Sequence, residues 1–348
     1  MSLTICNRRF YDEHFFALAN AIPQKYNTLY QMQGNLWNKN IFLNKDHVIF
    51  LSDYLADGVN HNHLSRLVDQ MQGCTVITSV LHANHDFPDV YAKWIWNGGD
   101  MFFQMNQYPQ LVLLNQKDTD ADTHWCCLSL LPRLHRLMAG CVILGHELDR
   151  FGFVQIDPGP HDNYSWQDYL HLEHSFNTEQ AKVLTVGWNR LQQRRLHPME
   201  KYNVPPNHNA LNFDLNLKWI YQKSCIDIVN ETTFFNNGVF VSEKYLNTVY
   251  GEVFPIIISN KGYLEALRLH GFDTFDDVVD HSYDKIDDPW QRMWHAIQDN
   301  LHLLGDSEHA WNKWHECEQR FKNNLDLARY SLYDNNAKRF KKALADLP

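Results

Sequence analysis

The sequence predicts an α/β fold, and three observations support that prediction. Two apolar runs, Ile226–Val229 and Val253–Ile258, flank a helical segment that follows Ser242. This strand–helix–strand order favours parallel strands joined by a right-handed crossover. Short apolar runs also alternate with helical spacing in the first third of the chain. The chain has 348 residues, more than one ordinary domain holds, so we expect two α/β domains.

The first third of the chain supplies strands and helices in alternation. The apolar runs His47–Leu51, Cys74–Val80 and Leu111–Leu114 predict buried strands. Helices are predicted at Val59–Met71, from its apolar spacing, and at Pro88–Trp96. Such an order is typical of a sheet whose strand ends carry the ligand-binding loops.

A polar, acidic stretch, Asn115–Thr123, is the best linker candidate in the chain. We therefore predict an N-terminal domain over residues 1–118 and a C-terminal domain over residues 119–309. A polar helical tail over residues 310–348 completes the chain.

The second domain begins with the apolar run Trp125–Leu131, after which Pro132 is placed to open a helix. Residues 151–180 predict a loop with aromatic anchors, and Ala181–Trp188 predicts a further strand. Apolar spacing predicts a helix over Asp288–Leu304, which Gly305 ends.

Composition limits the classes of protein to consider. The formal net charge of −10 disfavours a general nucleic-acid binder, although a local basic groove stays possible. No run of about eighteen apolar residues is present, and no apolar signal core opens the chain. These patterns predict a soluble, cytoplasmic protein that does not enter a membrane. The seven cysteines lack a framework pattern and predict reduced thiols.

Two histidine-rich stretches invite a metal-site hypothesis. They are His61-x-His63 and His82-x-x-His85-Asp86. The sequence contains no H-E-x-x-H motif and no Cys/His knuckle, so we expect no metal and no other cofactor.

The start of the helix after Ser242 is the strongest candidate site. Ser242 is a suitable N-cap, which places Glu243 and Lys244 in the first helical turn. A helix start offers free backbone N–H groups and a positive dipole end, which suit a phosphate. Lys244 adds a charge for a diphosphate, and Glu243 can accept hydrogen bonds from two sugar hydroxyls. The alternative is that both residues lie on the surface of an amphipathic helix.

The same stretch resembles a known family. IVNET at 228–232 and VFVSEKYLNTVYGEVFPIII at 239–258 are similar to the "TEK" signature of the α-1,3-fucosyltransferases and their phage and bacterial relatives. The likeness continues through Gly271–Phe275 and Asp280–Asp284, although no physical argument places that tail on a ligand. The resemblance implies a GT-B fold, with two Rossmann-type domains facing a cleft. It also implies a C-terminal helix that crosses back onto the N-terminal domain.

A second patch of resemblance lies at the helix after Pro132. Its sequence is similar to a "pR-HR" helix whose arginine meets the donor phosphates, which implies that role for Arg133 and Arg136. The relatives' Asn-Arg turn is replaced here by Ser129-Leu130-Leu131. Two surface arginines remain the alternative.

Two residues at the end of the first strand of the motif complete the donor-binding set. Glu231 could hydrogen-bond the sugar or hold Lys244, and Asn230 could cap the same loop. For an inverting reaction a catalytic base must reach the acceptor hydroxyl. Asp53 and Asp86 each follow a predicted strand and are the candidates, although a strand-end Asp is also a common turn former.

The leading hypothesis is a metal-independent glycosyltransferase that uses a nucleotide diphosphate-sugar and a hydroxyl acceptor. The acceptor could be a glycan, a small molecule or a modified DNA base. One alternative is a phage-type enzyme that glycosylates hydroxymethylated DNA bases, in the host cytoplasm. The other is a degenerate GT-B protein that only binds a nucleotide or a partner.

Overall fold

A computed structural model describes residues 117–119, 123–129, 133–156, 175–194, 218–231, 234, 238–239 and 241–331. Before residue 117 it describes the backbone of short strands. The chain divides into two compact units. One consists of Met1–Pro109, Asn236–Val241 and Leu327–Pro348, and the other of Gln110–Phe235 and Ser242–Asp326.

The described elements confirm the α/β class. In chain order the strands are β1 (Thr4–Cys6), β2 (Thr28–Met32), β3 (Leu43–Asn44), β4 (His47–Leu51), β5 (Met71–Gln72), β6 (Cys74–Thr78), β7 (Leu81–His82), β8 (Ala92–Trp96), β9 (Trp125–Ser129), β10 (Gly152–Ile156), β11 (Ile226–Asn230), β12 (Gly238–Val239) and β13 (Phe254–Ile258). The helices are α1 (Leu134–Gly145), α2 (Thr178–Arg194), α3 (Lys218–Gln222), α4 (Glu243–Gly251), α5 (Tyr263–Leu269), α6 (Pro289–Gln298), α7 (Leu301–Leu304), α8 (Ser307–Glu316) and α9 (Glu318–Asp326). Short 3-10 turns lie at Leu148–Arg150 and Ser282–Lys285, and a π-helical turn at Leu327–Ser331.

The first unit contains a five-stranded sheet in the order β1-β2-β4-β6-β8. Every neighbouring pair in it is parallel. The predicted strands at His47–Leu51 and Cys74–Val80 are confirmed as β4 and β6. The helix predicted over Pro88–Trp96 is wrong, because its second half forms β8. The sequence of β8, AKWIW, is rich in the aromatic and β-branched residues that favour strands.

Several predictions for the first third of the chain lie outside the described residues. They are the helix at Val59–Met71 apart from Met71, which begins β5, the strand at Leu111–Leu114, and the base candidates Asp53 and Asp86.

The second unit is built on a four-stranded parallel sheet in the order β10-β9-β11-β13. All five residues of β11 and all five of β13 are buried. Continuous burial is typical of parallel strands covered on both faces. The predicted strand–helix–strand unit is confirmed, with α4 as its helix and β11 paired to β13.

Two predictions in this unit are wrong. The region predicted as a loop, 151–180, contains β10 at its start. The strand predicted over Ala181–Trp188 lies inside helix α2. Asn177 caps the start of this helix. Its side-chain oxygen accepts from the backbone N–H groups of Glu179 and Gln180, at 3.0 Å each. Gln180 returns the contact by accepting from the Asn177 N–H at 2.9 Å, a reciprocal capping box.

Glycines bring α1 and α2 close together. A Cβ on Gly187 of α2 would lie 1.8 Å from the Cys141 carbonyl oxygen of α1. A Cβ on Gly145 of α1 would lie 2.2 Å from the Val183 carbonyl oxygen of α2. Neither position has room for a larger side chain, so the glycines set the distance between the two helices.

Lys117, in the predicted linker, is anchored to the second unit. Its ammonium donates to the carbonyl oxygens of Tyr221 at 2.9 Å, Ser224 at 2.8 Å and Gly251 at 2.6 Å. These carbonyls lie at or just beyond the C-terminal ends of α3 and α4, where a cation complements the helix dipole. Burial lowers the pKa of Lys117 to about 8.

Candidate anion-binding site

The direction of chain connection reverses between β9 and β11. The chain leaves β9 for β10 on one side and returns to β11 on the other side. In open parallel sheets ligands bind outside the carboxyl ends of the strands at such a switch point. The residues that end these two strands are Ser129 and Asn230, and the Asn230 amide donates to the Ser129 hydroxyl at 3.2 Å.

Two helices begin near this point. Arg133 is the N-cap of α1, so His135 and Arg136 lie in the first turn of that helix. Ser242 is the N-cap of α4, as predicted, and its hydroxyl accepts a hydrogen bond from the Lys244 N–H at 3.2 Å. Both helix starts therefore carry basic side chains at the positive end of a helix dipole.

The Glu231 carboxylate holds the start of α4. Its Oε1 accepts from the Ser242 N–H at 3.1 Å and from the Tyr263 hydroxyl at 2.6 Å. Its Oε2 accepts a short hydrogen bond from the Ser242 hydroxyl. Glu231 is 0% exposed. Both carboxylate oxygens are thus engaged by Ser242 and Tyr263, while a hydrogen bond to the sugar or a contact with Lys244 stays a prediction.

The Glu231 carbonyl holds the start of α1. It accepts from Nε2 of His135 at 3.0 Å and from the Arg136 guanidinium at 3.5 Å. One residue thus joins both helix starts, α4 through its side chain and α1 through its backbone.

The environment of His135 shows where the positive charge gathers. Burial and the charges of Arg136, Arg133 and Lys244 together lower the pKa of His135 to about 3. The ring is therefore neutral at physiological pH, and it carries its proton on Nε2, facing the Glu231 carbonyl. Three cationic groups from two helices act on this one ring, which makes the region attractive to an anion.

The cationic side chains differ in how far they reach solvent. Arg133 and Lys244 are half-buried, whereas Arg136 is buried. The Lys244 ammonium donates to the Ser242 hydroxyl at 3.3 Å, which places it over the start of α4. Arg133 and Lys244 are thus the groups that a bound ligand can reach most directly, and Arg136 supports them from below.

The structure brings together most of the predicted donor-binding residues. Arg133, Arg136, Glu231, Ser242 and Lys244 form this cluster, and Asn230 ends the strand beside it. Glu243 is the first residue of α4, with its side chain outside the described part of the chain.

The segment Asp280–Asp284, at the end of the family resemblance, contributes packing and capping contacts. The Asp284 carboxylate accepts from the Tyr263 N–H at 3.1 Å, and the Tyr283 hydroxyl accepts from the Ile257 N–H at 2.9 Å. Asp280 accepts from the Ser282 N–H at 2.9 Å. These contacts hold β13 and the start of α5, the helix that carries Tyr263.

Sequence reasoning missed His135, Tyr263 and Phe234. The Phe234 ring stacks on the His135 ring, with centroids 4.8 Å apart and planes 12° from parallel. His135 stands between two residues that were singled out, so its position was a usable signal. Tyr263 and Phe234 carry no local signal, because Tyr263 begins α5 and Phe234 follows β11, and only folding brings both to the site.

The described residues lack two features, a metal-binding cluster and a membrane-spanning helix. They contain no group of three or more His, Cys, Asp or Glu side chains arranged to hold a metal ion. They also contain no helix that is both long and apolar enough to span a membrane. No family model matches the chain, and no curated protein shows significant similarity to it.

Proposed function

We propose that this protein is a glycosyltransferase that moves a sugar from a nucleotide diphosphate-sugar to a hydroxyl acceptor without a metal ion. The observation that carries the proposal is the joining of two basic helix starts by Glu231 at the switch point of a parallel sheet. Two helix N-termini with Arg133, Arg136 and Lys244 match the charge of a diphosphate.

The basic residues at these helix starts oppose local stability. The first turn of α1 contains Arg136 and no acidic residue, and Lys244 lies in the first turn of α4. A cation near a helix N-terminus is disfavoured by about 0.3–1 kcal/mol, because the dipole is positive there. Departures from local preference concentrate at functional sites. This pattern therefore supports ligand binding over the alternative that these residues only lie on a helix surface.

Loss of the nucleoside diphosphate leaves negative charge on its terminal phosphate as the bond to the sugar breaks. Lys244 and Arg133 would stabilise that charge more strongly in the transition state than in the bound donor. Under this proposal Glu243 contacts the sugar hydroxyls. Asp53 and Asp86 remain the proposed candidates for the base that takes the acceptor proton. The GT-B architecture and the acceptor side over residues 1–118 belong to the same proposal.

A thermal-shift panel of UDP-, GDP-, CMP- and dTDP-sugars tests the proposal. At least one nucleoside diphosphate-sugar should raise the melting temperature, and EDTA should not abolish the effect. Binding that disappears with EDTA and returns with Mg²⁺ or Mn²⁺ would contradict metal independence. No shift with any donor of the panel would contradict the proposed donor site.

The second candidate is a protein that binds the nucleotide but transfers nothing. It is favoured by the sequence Ser129-Leu130-Leu131, which stands where the relatives have Asn-Arg. Release of free sugar from the best-binding donor separates the two candidates. Tight binding with no hydrolysis and no transfer would favour the second.

A further inference from the structure

Arg292 is a buried arginine that binds backbone. It lies in α6, is 4% exposed and donates four hydrogen bonds to carbonyl oxygens. Nε donates to Ser259 at 2.9 Å, and Nη2 donates to Phe234 at 3.2 Å. Nη1 donates to Ile286 at 2.6 Å and to Asp287 at 3.3 Å. The planar guanidinium is suited to this task because its donors have a fixed geometry.

These hydrogen bonds connect the carboxyl ends of neighbouring strands. Ser259 directly follows β13, and Phe234 lies in the segment that follows β11. The Glu231 N–H also donates to the Ile258 carbonyl at 3.0 Å, which keeps the two strand ends together. Arg292 thus fastens the segment after β11 to the rest of the sheet edge.

Phe234 passes this constraint to the basic cluster. Its ring lies against Trp290 of α6, with centroids 5.2 Å apart, and 5.9 Å from the Arg292 guanidinium. Phe234 also contacts His135, whose ring is stacked on it. His135, in the first turn of α1, in turn donates to the Glu231 carbonyl. A continuous series of contacts therefore runs from α6 to the residues that hold Arg133 and Arg136.

We propose that Arg292 is a positioning residue of the basic cluster, which it orders through Phe234 without touching the ligand. The inference deepens the proposed function and rests on it for the nature of the ligand, a diphosphate. The positioning itself is a property of the protein that can be measured without any ligand.

The test compares Arg292→Lys with a matched control, Arg320→Lys. A lysine cannot reproduce the guanidinium fork, so Phe234 loses a constraint while the positive charge stays. The control arginine lies in α9 and donates to Asp273 and Asp277. It thus tests the loss of another guanidinium contact in the same unit, at a half-buried position, with the Phe234 contacts left intact.

Two measurements are made on each folded variant. The first is the NMR signal of the His135 Nε2 proton, assigned by its loss in His135→Gln. The second is the affinity for inorganic diphosphate by calorimetry. Arg292→Lys should expose the His135 proton to solvent exchange and weaken diphosphate binding by roughly ten- to a hundredfold, the scale of losing a supporting contact. Arg320→Lys should melt at a lower temperature with both measurements unchanged.

A folded Arg292→Lys with the parent's His135 signal and diphosphate affinity would overturn the proposal. If Arg292 variants do not fold, Phe234→Leu removes the stacking and keeps an apolar side chain, and it should give the same two changes. Phe234→Leu with an unchanged His135 signal would equally overturn it. If the parent protein does not bind diphosphate, the proposed function fails, and the His135 signal alone decides whether Arg292 has a positioning role.

Discussion

Lys244 places a positive charge at the start of α4, the end of the helix where the dipole is also positive. Its ammonium donates to the Ser242 hydroxyl, which also accepts from the Lys244 N–H and donates to Glu231. The charge is therefore held at the positive end of the α4 dipole, where it costs stability and suits an anion. A purely structural residue at this position would be neutral or acidic.

We expect Lys244→Ala to separate activity from stability. Turnover of the donor should fall by on the order of a hundredfold or more, as when one preorganised charge donor is lost. Donor affinity should fall less, since part of the interaction forms only as the bond breaks. The melting temperature should stay the same or rise slightly. Hydrolysis of the donor sugar is a sufficient assay, because the acceptor need not be known.

Lys244→Arg is the matched variant for that experiment. It should restore activity only in part, since a planar fork does not occupy the place of a point charge without repacking. Parent-like hydrolysis by Lys244→Ala would rule out this helix start as the donor site.

Asp227 is a buried carboxyl group below the candidate site. It is 4% exposed, and it accepts a hydrogen bond from the Tyr221 hydroxyl at 2.8 Å. Burial raises its pKa to about 7, and the charge of Glu231 acts in the same direction, while hydrogen bonds from Tyr221 and Cys126 oppose the rise. The folded protein therefore keeps a proton on Asp227 at pH values where the unfolded chain has lost it.

This proton makes stability depend on pH in a defined direction. Between pH 4 and 7 the folded state binds the extra proton, so the contribution of Asp227 to the free energy of unfolding falls as pH rises. The total change is at most about 4 kcal/mol, from a shift of roughly three pKa units. Urea denaturation at several pH values should show a weaker decline for Asp227→Asn than for the parent.

The control for Asp227 is Asp326→Asn, which removes an exposed carboxylate from α9. It should leave the decline between pH 4 and 7 as it is in the parent. A parent-like decline in Asp227→Asn would show that other groups cause the pH dependence.

At the scale of elements, the packing of α1 against α2 determines how a glycine-to-alanine substitution changes the stability of the protein. Glycine inside a helix is usually less stable than alanine, by roughly 0.5–1 kcal/mol. At Gly187, however, the added Cβ would lie 1.8 Å from the Cys141 carbonyl oxygen, so one helix would have to move. Tertiary packing should therefore reverse the sign that helix propensity predicts.

We expect Gly187→Ala to lower the free energy of unfolding by about 1–3 kcal/mol, the usual cost of overpacking. Chemical denaturation measures it directly. Val186→Ala, next in the chain and 48% exposed, is the control and should change stability by less than about 0.5 kcal/mol. A stabilised Gly187→Ala would show that α1 and α2 lie further apart than described.

At the scale of the whole molecule, the formal net charge is −10, although Arg133, Arg136 and Lys244 make one region locally basic. Exposed charges further apart than about 8 Å are largely screened at physiological salt. A small anion can therefore bind the cluster, whereas a long polyanion extends beyond it and meets a protein of net negative charge. This difference favours a small phosphorylated donor and disfavours retention of DNA.

The protein should not retain duplex DNA at physiological salt, with or without hydroxymethylated bases. Fluorescence anisotropy of a labelled duplex, with a nucleotide-sugar binding assay in the same buffer, measures this. Tight DNA binding that weakens steeply with added salt would instead favour the alternative of a DNA-modifying glycosyltransferase.

Local signals were enough for β11, α4 and β13. Their apolar runs, the spacing between them and Ser242 as an N-cap predict a strand–helix–strand unit, which the structure has. Capping and apolar periodicity act over a few residues, so they can be recognised from the sequence itself. At Ala181–Trp188 the predicted strand is wrong, although the capping box at Asn177 and Gln180 is a local signal for the start of helix α2.

The meeting of α1 and α4 at Glu231 was decided by tertiary structure. The two helix starts are far apart in the chain, and their contact depends on the strand order β10-β9-β11-β13. The sequence indicated Arg136, Glu231 and Lys244 separately, through their places at helix starts and at a strand end. The support of Glu231 by Tyr263 and of Phe234 by Arg292 has no local pattern. Such contacts form only when residues that lie far apart in the chain meet at one edge of the sheet, because long-range pairing is set by topology and packing and leaves no repeating signal in the chain.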